Sequence, residues 1–262
     1  MSHELPAALS VAGSDSGGGA GIQADLLTFA AQGVFGLTAL TCLTAQNPAG
    51  VSGVEAVPAE FVMAQIRQVS SYFQIGAWKT GMLFNTAIIE AVAGHARTPG
   101  TPPLVCDPVM VASSGADLLQ PEAVAAVRQL LLPAAYLITP NLDEAAVLLG
   151  KRPRDAADLP DAARELVRLF GTSVLLKGGH LDGGTVVDTL CLSDGSLTNY
   201  QGSRLPGVDT HGSGCTLSAA ITARLARGEP LEQAVEGARD YLRRGLERPL
   251  RVAGRDFISH GV

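Results

Sequence analysis

The chain has 262 residues, of which 47% are hydrophobic and 17% charged, enough to bury a core on both faces of a sheet and too apolar for a disordered chain. Its net charge of −6 comes without any basic run, so nucleic acid is excluded as a partner, and no apolar stretch reaches the roughly 18 residues of a membrane helix. Aromatics at 5% against abundant Ala, Leu, Val and Gly favour helices packed closely on a parallel sheet over an all-β sandwich, in a single domain spanning 1–262. The start, Met1 to Pro6, lacks a signal-peptide pattern, so a cytoplasmic protein is expected. Cys42, Cys106, Cys191 and Cys215 form no CxxC pair, which argues against a zinc site or disulfide scaffold.

Apolar strands and helical patterns alternate along the chain. Leu9 to Ala12 reads as a first strand, followed by a loop from Gly13 to Gly19 and a helix over Ile22 to Gln32. Leu37 to Ala45 is a strand ending in Gln46-Asn47-Pro48, and Val51 to Val57 a smaller one before a helix over Ala59 to Tyr72. Ala77 to Thr80 and Leu104 to Asp107 are short buried strands around a helix from Thr86 to Arg97. A helix over Pro121 to Leu132, a strand over Tyr136 to Thr139 and a helix over Leu142 to Leu149 follow. Ser173 to Lys177 is a strand, Val186 to Ser193 and Leu197 to Tyr200 form a hairpin, and helices over Gly214 to Arg227 and Leu231 to Glu247 close the pattern. In such sheets ligands bind beyond the carboxyl ends of the strands, so the polar clusters there are expected to line one rim.

Asp209-Thr210-His211-Gly212-Ser213-Gly214-Cys215 carries the sharpest signal. Gly212, Ser213 and Gly214 are expected to expose successive N–H groups at a helix start, where the dipole attracts an anion. The same field is expected to lower the Cys215 thiol pKa. A turn capped by Ser213 over a filler cysteine is the alternative that spacing allows.

The run Gly13 to Gly21 has no Lys after its glycines, so it is not a GxxxxGK[ST] phosphate loop. Gly19 to Ala24 fits G-x-G-x-x-A, but a long loop precedes it and Gln46 stands where a dinucleotide fold would carry an acid, which leaves a flexible loop able to approach a small substrate. Asp25 is a candidate hydrogen-bond acceptor for a substrate, or a solvated helix position. Gln46 offers a donor and an acceptor that suit an aminopyrimidine edge, or brace a turn. Met82 offers adaptable contact to a flat ring, or ordinary core packing. Asn141 and Glu144, three apart at a helix start, can face one volume, and oxygen ligands suit Mg²⁺; Asp143 is an equally acidic neighbour. Lys177, ahead of Gly178-Gly179-His180, could meet nucleotide phosphates, and Asp107 completes the ionic group; a cap or ion pair is the alternative for each.

The blocks Gly13-Ser14-Asp15 through Asp25, Ala45-Gln46-Asn47, Gly81-Met82-Leu83, Asp107-Pro108-Val109-Met110, Thr139-Pro140-Asn141, Leu176 to His180 and His211 to Ala219 come in a specific order and spacing. Through them the chain resembles, from about Leu9 to Leu246, the hydroxymethylpyrimidine/phosphomethylpyrimidine kinases of the ribokinase-like superfamily. The resemblance implies a three-layer α/β fold with a central, mostly parallel sheet and helices on both faces, use of ATP and Mg²⁺, and a homodimer. It implies that Gln46 binds the aminopyrimidine with Gly13, Asp25, Met82 and the Val109 backbone around it. Asp107 and Glu144 would serve Mg²⁺, while Lys177, Gly179, Asn141 and Asp209 would hold the nucleotide. Cys215 stands where many ribokinase-like enzymes have an Asp base, with Gly212, Ser213 and Gly214 beside it, so the implied chemistry is in-line attack of a hydroxymethyl oxygen on the γ-phosphate with Cys215 as base or orienting group. Leu27 and Ser113 depart from Lys positions of the family, which implies less charge for a second phosphorylation. A pyridoxal kinase and a non-catalytic vitamin or nucleotide sensor are the alternatives.

Overall fold

The computed structural model describes residues 4–110, 121–179, 181 and 183–261; Ser113 and His180 lie outside the described residues. Successive residues of the central strands face opposite sets of helices, and this alternation builds the layers. In β1 (Ala7–Asp15) Ala7, Leu9 and Val11 enter one core and Ala8 another; in β5 (Leu104–Cys106) Leu104 and Cys106 part from Val105, as Leu176 parts from Leu175 in β7 (Ser173–Lys177). Strands buried along both faces need cover on both. Helices α2 (Ala59–Ser70), α3 (Thr86–Ala96), α4 (Pro121–Ala126), α5 (Leu142–Leu149) and α6 (Leu159–Phe170) cover one face. The other is covered by α1 (Gly21–Ala31), α7 (Ser213–Ala226) and α8 (Leu231–Glu247).

The remaining strands are β2 (Phe35–Asn47), β3 (Gly50–Ala56), β4 (Ile75–Thr80), β6 (Leu137–Ile138), β8 (Thr185–Cys191) and β9 (Leu197–Ser203). The nine-stranded sheet has the order β3-β2-β1-β4-β5-β6-β7-β8-β9. The strands from β2 to β7 in this order pair in parallel, and antiparallel β3 and the β8–β9 hairpin flank them. The expected three-layer, mostly parallel α/β architecture is therefore observed. Because the central strands run one way, Asp15, Gln46, Asp107, Asn141 and Lys177 arrive at one rim.

Several boundaries differ from the sequence reading. The first strand continues through Gly13 to Asp15 by pairing with β2. The helix expected up to Leu132 loosens into a π turn over Val127–Leu131 and a 3₁₀ turn over Leu132–Ala134, because Pro133 has no N–H to continue an α-helix. No element was expected between Leu149 and Ser173, yet α6 buries Leu159, Ala162, Ala163, Leu166, Val167 and Phe170, a helical spacing closed by Gly171 at φ +69°. A small hairpin of β10 (Leu250–Val252) and β11 (Arg255–Phe257) forms in the tail. Among the described residues no helix is long and apolar enough to cross a membrane.

Candidate active site

Two glycine-bearing turns interlock at the rim. Gly212 has φ +79°, and a Cβ there would run into the carbonyl oxygen of Gly19, so only glycine lets the turns meet. Asp15 organises the first turn: its carboxylate accepts from Gly17 N–H at 2.8 Å, Gly19 N–H at 3.1 Å and Ala20 N–H at 2.9 Å. It also lies 3.6 Å from His211 Nε2 in the second turn. Burial alone would raise the Asp15 carboxyl, but His211 and the Gly17 and Ala20 amides hold it below the usual range. The same contact with Asp15 raises the His211 imidazole against its partial burial. The reading from spacing gave neither residue this role.

Thr216 N–H makes the first bond of the α7 ladder, to Gly212 carbonyl at 2.9 Å, so the Gly214 and Cys215 N–H groups precede the ladder. Ser213 N–H instead donates to Thr210 carbonyl at 3.0 Å, which corrects the expectation of three successive free donors. Asp209 caps the turn by accepting from His211 N–H at 2.9 Å and is exposed at the rim.

Cys215 receives a hydrogen bond from the Gly21 backbone, which brings a second helix start to the thiol. The expected lowering of its pKa is overturned. Burial pushes the thiol up to about 11 despite nearby Lys79, and the carboxylates of Asp25 and Asp107 push the same way. Desolvation of a thiolate outweighs the helix dipole here.

Asp25 is corrected too. Its side chain is fully buried and accepts from Ser10 Oγ at 2.5 Å and Lys79 Nζ at 2.6 Å, so no open wall carries it towards a substrate. Its work is to hold Lys79, whose ammonium also donates to the Cys215 carbonyl at 3.4 Å. Burial would lower the Lys79 ammonium, but Asp25 keeps it above its ordinary value. Lys79 and Ser10 were missed because a strand Lys and a strand Ser give no motif; only the buried carboxylate opposite reveals them.

On the other side of Gly214, Lys177 Nζ lies 3.2 Å from Asp107 Oδ1, and a Cβ on Gly214 would sit 3.4 Å from that ammonium. Asp107 is 3% exposed and also accepts from Thr139 Oγ1 at 3.2 Å and Ser218 Oγ at 3.4 Å. Glu144 is equally buried, and burial pushes its carboxyl up to about 8, with Lys177 opposing and Asp107 adding to the rise. Asn141 and Glu144 form a reciprocal capping box: Asn141 Oδ1 accepts from the N–H groups of Asp143 and Glu144 at 2.8 and 2.9 Å, and Glu144 accepts from Asn141 N–H at 2.8 Å. Asn141 Oδ1 is thus engaged as a helix cap, and any contact of this side chain with a nucleotide falls to its NH₂ group. Asp143 turns outward to Arg152, which separates the two acids that spacing left equivalent. Burial would lower the Lys177 ammonium, while Asp107 and Glu144 raise it.

The remaining expected residues surround this centre. Gln46 is half-buried beside a cavity of about 540 Å³ lined by Ser16, Asn47, Val51 and Ser52, and Ser16 Oγ bonds its backbone from the glycine turn. Gly13 is buried where a Cβ would strike Cys42 Sγ at 2.7 Å. Met82 is half-buried and its carbonyl accepts from Thr41 Oγ1 at 2.6 Å. Val109 N–H donates to the Asp107 carbonyl at 2.8 Å. Gly179 carbonyl accepts from Arg204 at 3.0 Å; Arg204 also reaches Gly183 and Leu181, clamping the segment after β7. Leu27 is exposed on α1, on a different side of the helix from buried Asp25. Among the described residues no group of three or more His, Cys, Asp or Glu could hold a metal ion alone.

Comparison with known proteins gives a consistent picture. The family profile described as phosphomethylpyrimidine kinase matches residues 15–258. A Haemophilus influenzae hydroxymethylpyrimidine/phosphomethylpyrimidine kinase is 46% identical over 93% of this chain and 92% of its own length. The solved phosphomethylpyrimidine kinase of Clostridium difficile superposes with TM-score 0.81 at 38% identity, over 92% of this chain and 99% of that one. A Bacillus subtilis pyridoxal kinase solved as an ADP complex superposes with TM-score 0.89 at 34% identity, over 98% of both chains.

Proposed function

Because the chain belongs to the phosphomethylpyrimidine kinase family, we propose that it transfers the γ-phosphoryl group of ATP to the hydroxymethyl oxygen of 4-amino-5-hydroxymethyl-2-methylpyrimidine and then to the resulting monophosphate, in thiamine biosynthesis. The observation that carries this reading is the junction at Gly214. The start of α7 faces Lys177 and Asp107 there, while Cys215, one residue on, meets the glycine turn that Ser16 ties to Gln46. An anion-holding turn thus stands between an ionic cluster and a ring-binding wall.

In this reading the amino and ring nitrogens of the pyrimidine meet the Gln46 amide, with the Gly13, Met82 and Val109 region around the ring. The hydroxymethyl oxygen points at Cys215. With the thiol pushed up to about 11, the group is mostly protonated at neutral pH and orients the hydroxyl, the fraction present as thiolate taking its proton. Gly214 and Cys215 N–H groups meet charge that develops on the transferring phosphoryl, and Lys177 neutralises it from the donor side; phosphoryl transfer needs little beyond such positioning and charge. Asp107 and Glu144 fit a divalent ion: two buried carboxylates, one of them held towards its neutral form by burial and by the other, gain from a cation, and two acids with phosphate oxygens and water suit Mg²⁺. Mg²⁺ bound there would neutralise phosphate charge.

The chain is read as one catalytic domain, cytoplasmic and acting as a homodimer. The exposed free edge of β3, with Val51 and Val54 exposed beside Leu43, supports a self-pairing surface. Pyridoxal is the second acceptor to weigh, because the fold matches a pyridoxal kinase along nearly its whole length. Steady-state assays with hydroxymethylpyrimidine, its monophosphate and pyridoxal decide: the largest kcat/KM is expected with the pyrimidine alcohol, and ATP binding without turnover of any of the three would leave only a sensor. Cys215→Ala is expected to keep substrate binding and lower kcat by roughly 10²-fold or more.

A further inference from the structure

The tail that follows α8 is tied to the acceptor side of the site. β10 and β11 bring Phe257 against the glycine turn: a Cβ on Gly19 would lie 3.4 Å from Phe257 Cδ1 and 2.9 Å from His211 Cδ2. Gly19 is the residue whose N–H binds Asp15 and whose carbonyl packs on Gly212. Beyond Phe257 the chain is anchored twice. Ser259 N–H donates to the Gly245 carbonyl on α8 at 3.2 Å, and only glycine at 245 leaves room, since a Cβ would meet Ser259 O at 2.6 Å and Ile258 at 2.9 Å. His260 Nδ1 then lies 3.0 Å from the Tyr241 hydroxyl and 3.3 Å from the Thr28 hydroxyl. Thr28 donates its own proton to the Ala24 carbonyl at 2.7 Å, and the Tyr241 hydroxyl also lies 3.4 Å from the His260 carbonyl, so His260 is held through both its ring and its backbone. This joins α8 to α1, the helix whose first residue, Gly21, gives its N–H to Cys215.

We propose that the segment Arg255–His260 is a strap in which Phe257 and His260 are positioning residues: together they fix the Gly17–Gly21 turn and the start of α1 over Cys215, and so set the seat of the acceptor alcohol. The strap touches the turn that bonds Gln46 and the helix that bonds the thiol. Among the described residues, none of its hydrogen bonds or ion pairs reaches Lys177, Asp107 or Glu144. It therefore governs the acceptor side and leaves the nucleotide side alone. The assignment of that seat to a pyrimidine alcohol rests on the function proposed above.

The test uses the full chain with Phe257→Ala and His260→Ala, and with Phe257→Leu and His260→Asn as conservative replacements that keep an apolar body and a polar group near Nδ1. One readout needs no substrate: the rate at which iodoacetamide alkylates Cys215, followed by peptide mass spectrometry. The other is the KM for the pyrimidine against the KM for ATP. Both alanine variants are expected to be alkylated about tenfold faster and to show an about tenfold higher pyrimidine KM, with the ATP KM and the melting midpoint close to wild type, and the conservative variants to return towards wild type. Wild-type alkylation rates and pyrimidine KM in both alanine variants would overturn the strap. So would a parallel rise of both KM values with a fall in melting midpoint, the mark of general loosening. If the wild type fails to phosphorylate the pyrimidine, the functional reading falls, and the alkylation arm still decides the strap.

Discussion

Lys79 Nζ lies 2.6 Å from Asp25 Oδ1 and 3.4 Å from the carbonyl oxygen of Cys215, with neither charged side chain reaching solvent. The first turn of α7 therefore rests on a buried ion pair. Removing one partner of such a pair leaves a charge in the interior and costs about 3–5 kcal/mol, whereas replacing both by apolar groups of similar volume is often near neutral. Lys79→Met is expected to lower the unfolding free energy by that amount in urea titrations, and Asp25→Leu combined with Lys79→Met to restore most of it. A double variant no more stable than Lys79→Met alone would remove the pair from this role.

The Cys215 thiol, pushed up to about 11 by burial, should react as a thiol and not as a thiolate near neutrality. Alkylation by iodoacetamide is expected to rise about tenfold per pH unit from neutral pH until it nears that value, since only the thiolate attacks. A reaction already at its plateau below about pH 8 would mean that the two helix starts at the thiol, and not its burial, set its chemistry.

That thiol also marks where the sequence stops being readable. A cysteine one turn into a helix after three small residues announces a helix-start site, and the position of Cys215 was found that way. Its pKa direction was not, because it depends on Asp25, Lys79 and Asp107, which come from α1, β4 and the end of β5. The parallel sheet was legible because short, largely apolar runs alternate with helical patterns along the chain, and the rim followed from strand direction. The capping role of Asn141 went unseen because a capping box and a pair of metal or nucleotide ligands share the same three-residue spacing. Lys79 carries no motif of its own, and His211 stands inside the Asp209 to Cys215 run without a partner there; only the course of each strand and loop in space gives them partners. The amphipathic pattern of α6 was present in Leu159, Ala163, Leu166 and Phe170, but the polar, proline-bearing run ahead of it gave no boundary.

Glu144 gives the stability a pH dependence of unusual sign. Its ordinary value is 4.5 and burial raises it to about 8 in the folded chain. Between those values the folded state holds a proton that the unfolded chain has released, so this group's contribution is fully present below the unfolded pKa and is lost as pH rises through the folded one. Glu144→Gln keeps an oxygen for the Asn141 N–H and removes the titration. In the absence of divalent ions, the wild type is expected to lose unfolding free energy between about pH 5 and 8 relative to Glu144→Gln. Parallel stability curves for the two proteins over that range would exclude the assignment.

Gly212 and Gly214 are two residues apart and should fail differently when given a methyl group. At Gly212 the backbone has φ +79° and the added Cβ meets the Gly19 carbonyl, a backbone atom with nowhere to go because Asp15 holds Gly19 N–H at 3.1 Å. Gly212→Ala must therefore separate the two turns, moving Cys215 relative to Gly21. A displacement of that kind, on the order of 1 Å, costs about 10²-fold in rate. At Gly214 the nearest atom is the Lys177 ammonium at 3.4 Å, the end of a flexible side chain, and the backbone is helical. Gly214→Ala should keep the fold and the thiol geometry and intrude only where the turn, Lys177 and Asp107 converge. Steady-state kinetics are expected to show a fall of kcat by about 10²-fold in Gly212→Ala, and in Gly214→Ala a rise mainly in the KM for ATP with kcat far less affected. The same profile in both variants would mean that the glycines serve the flexibility of one loop, and not a contact at the first and a phosphate approach at the second.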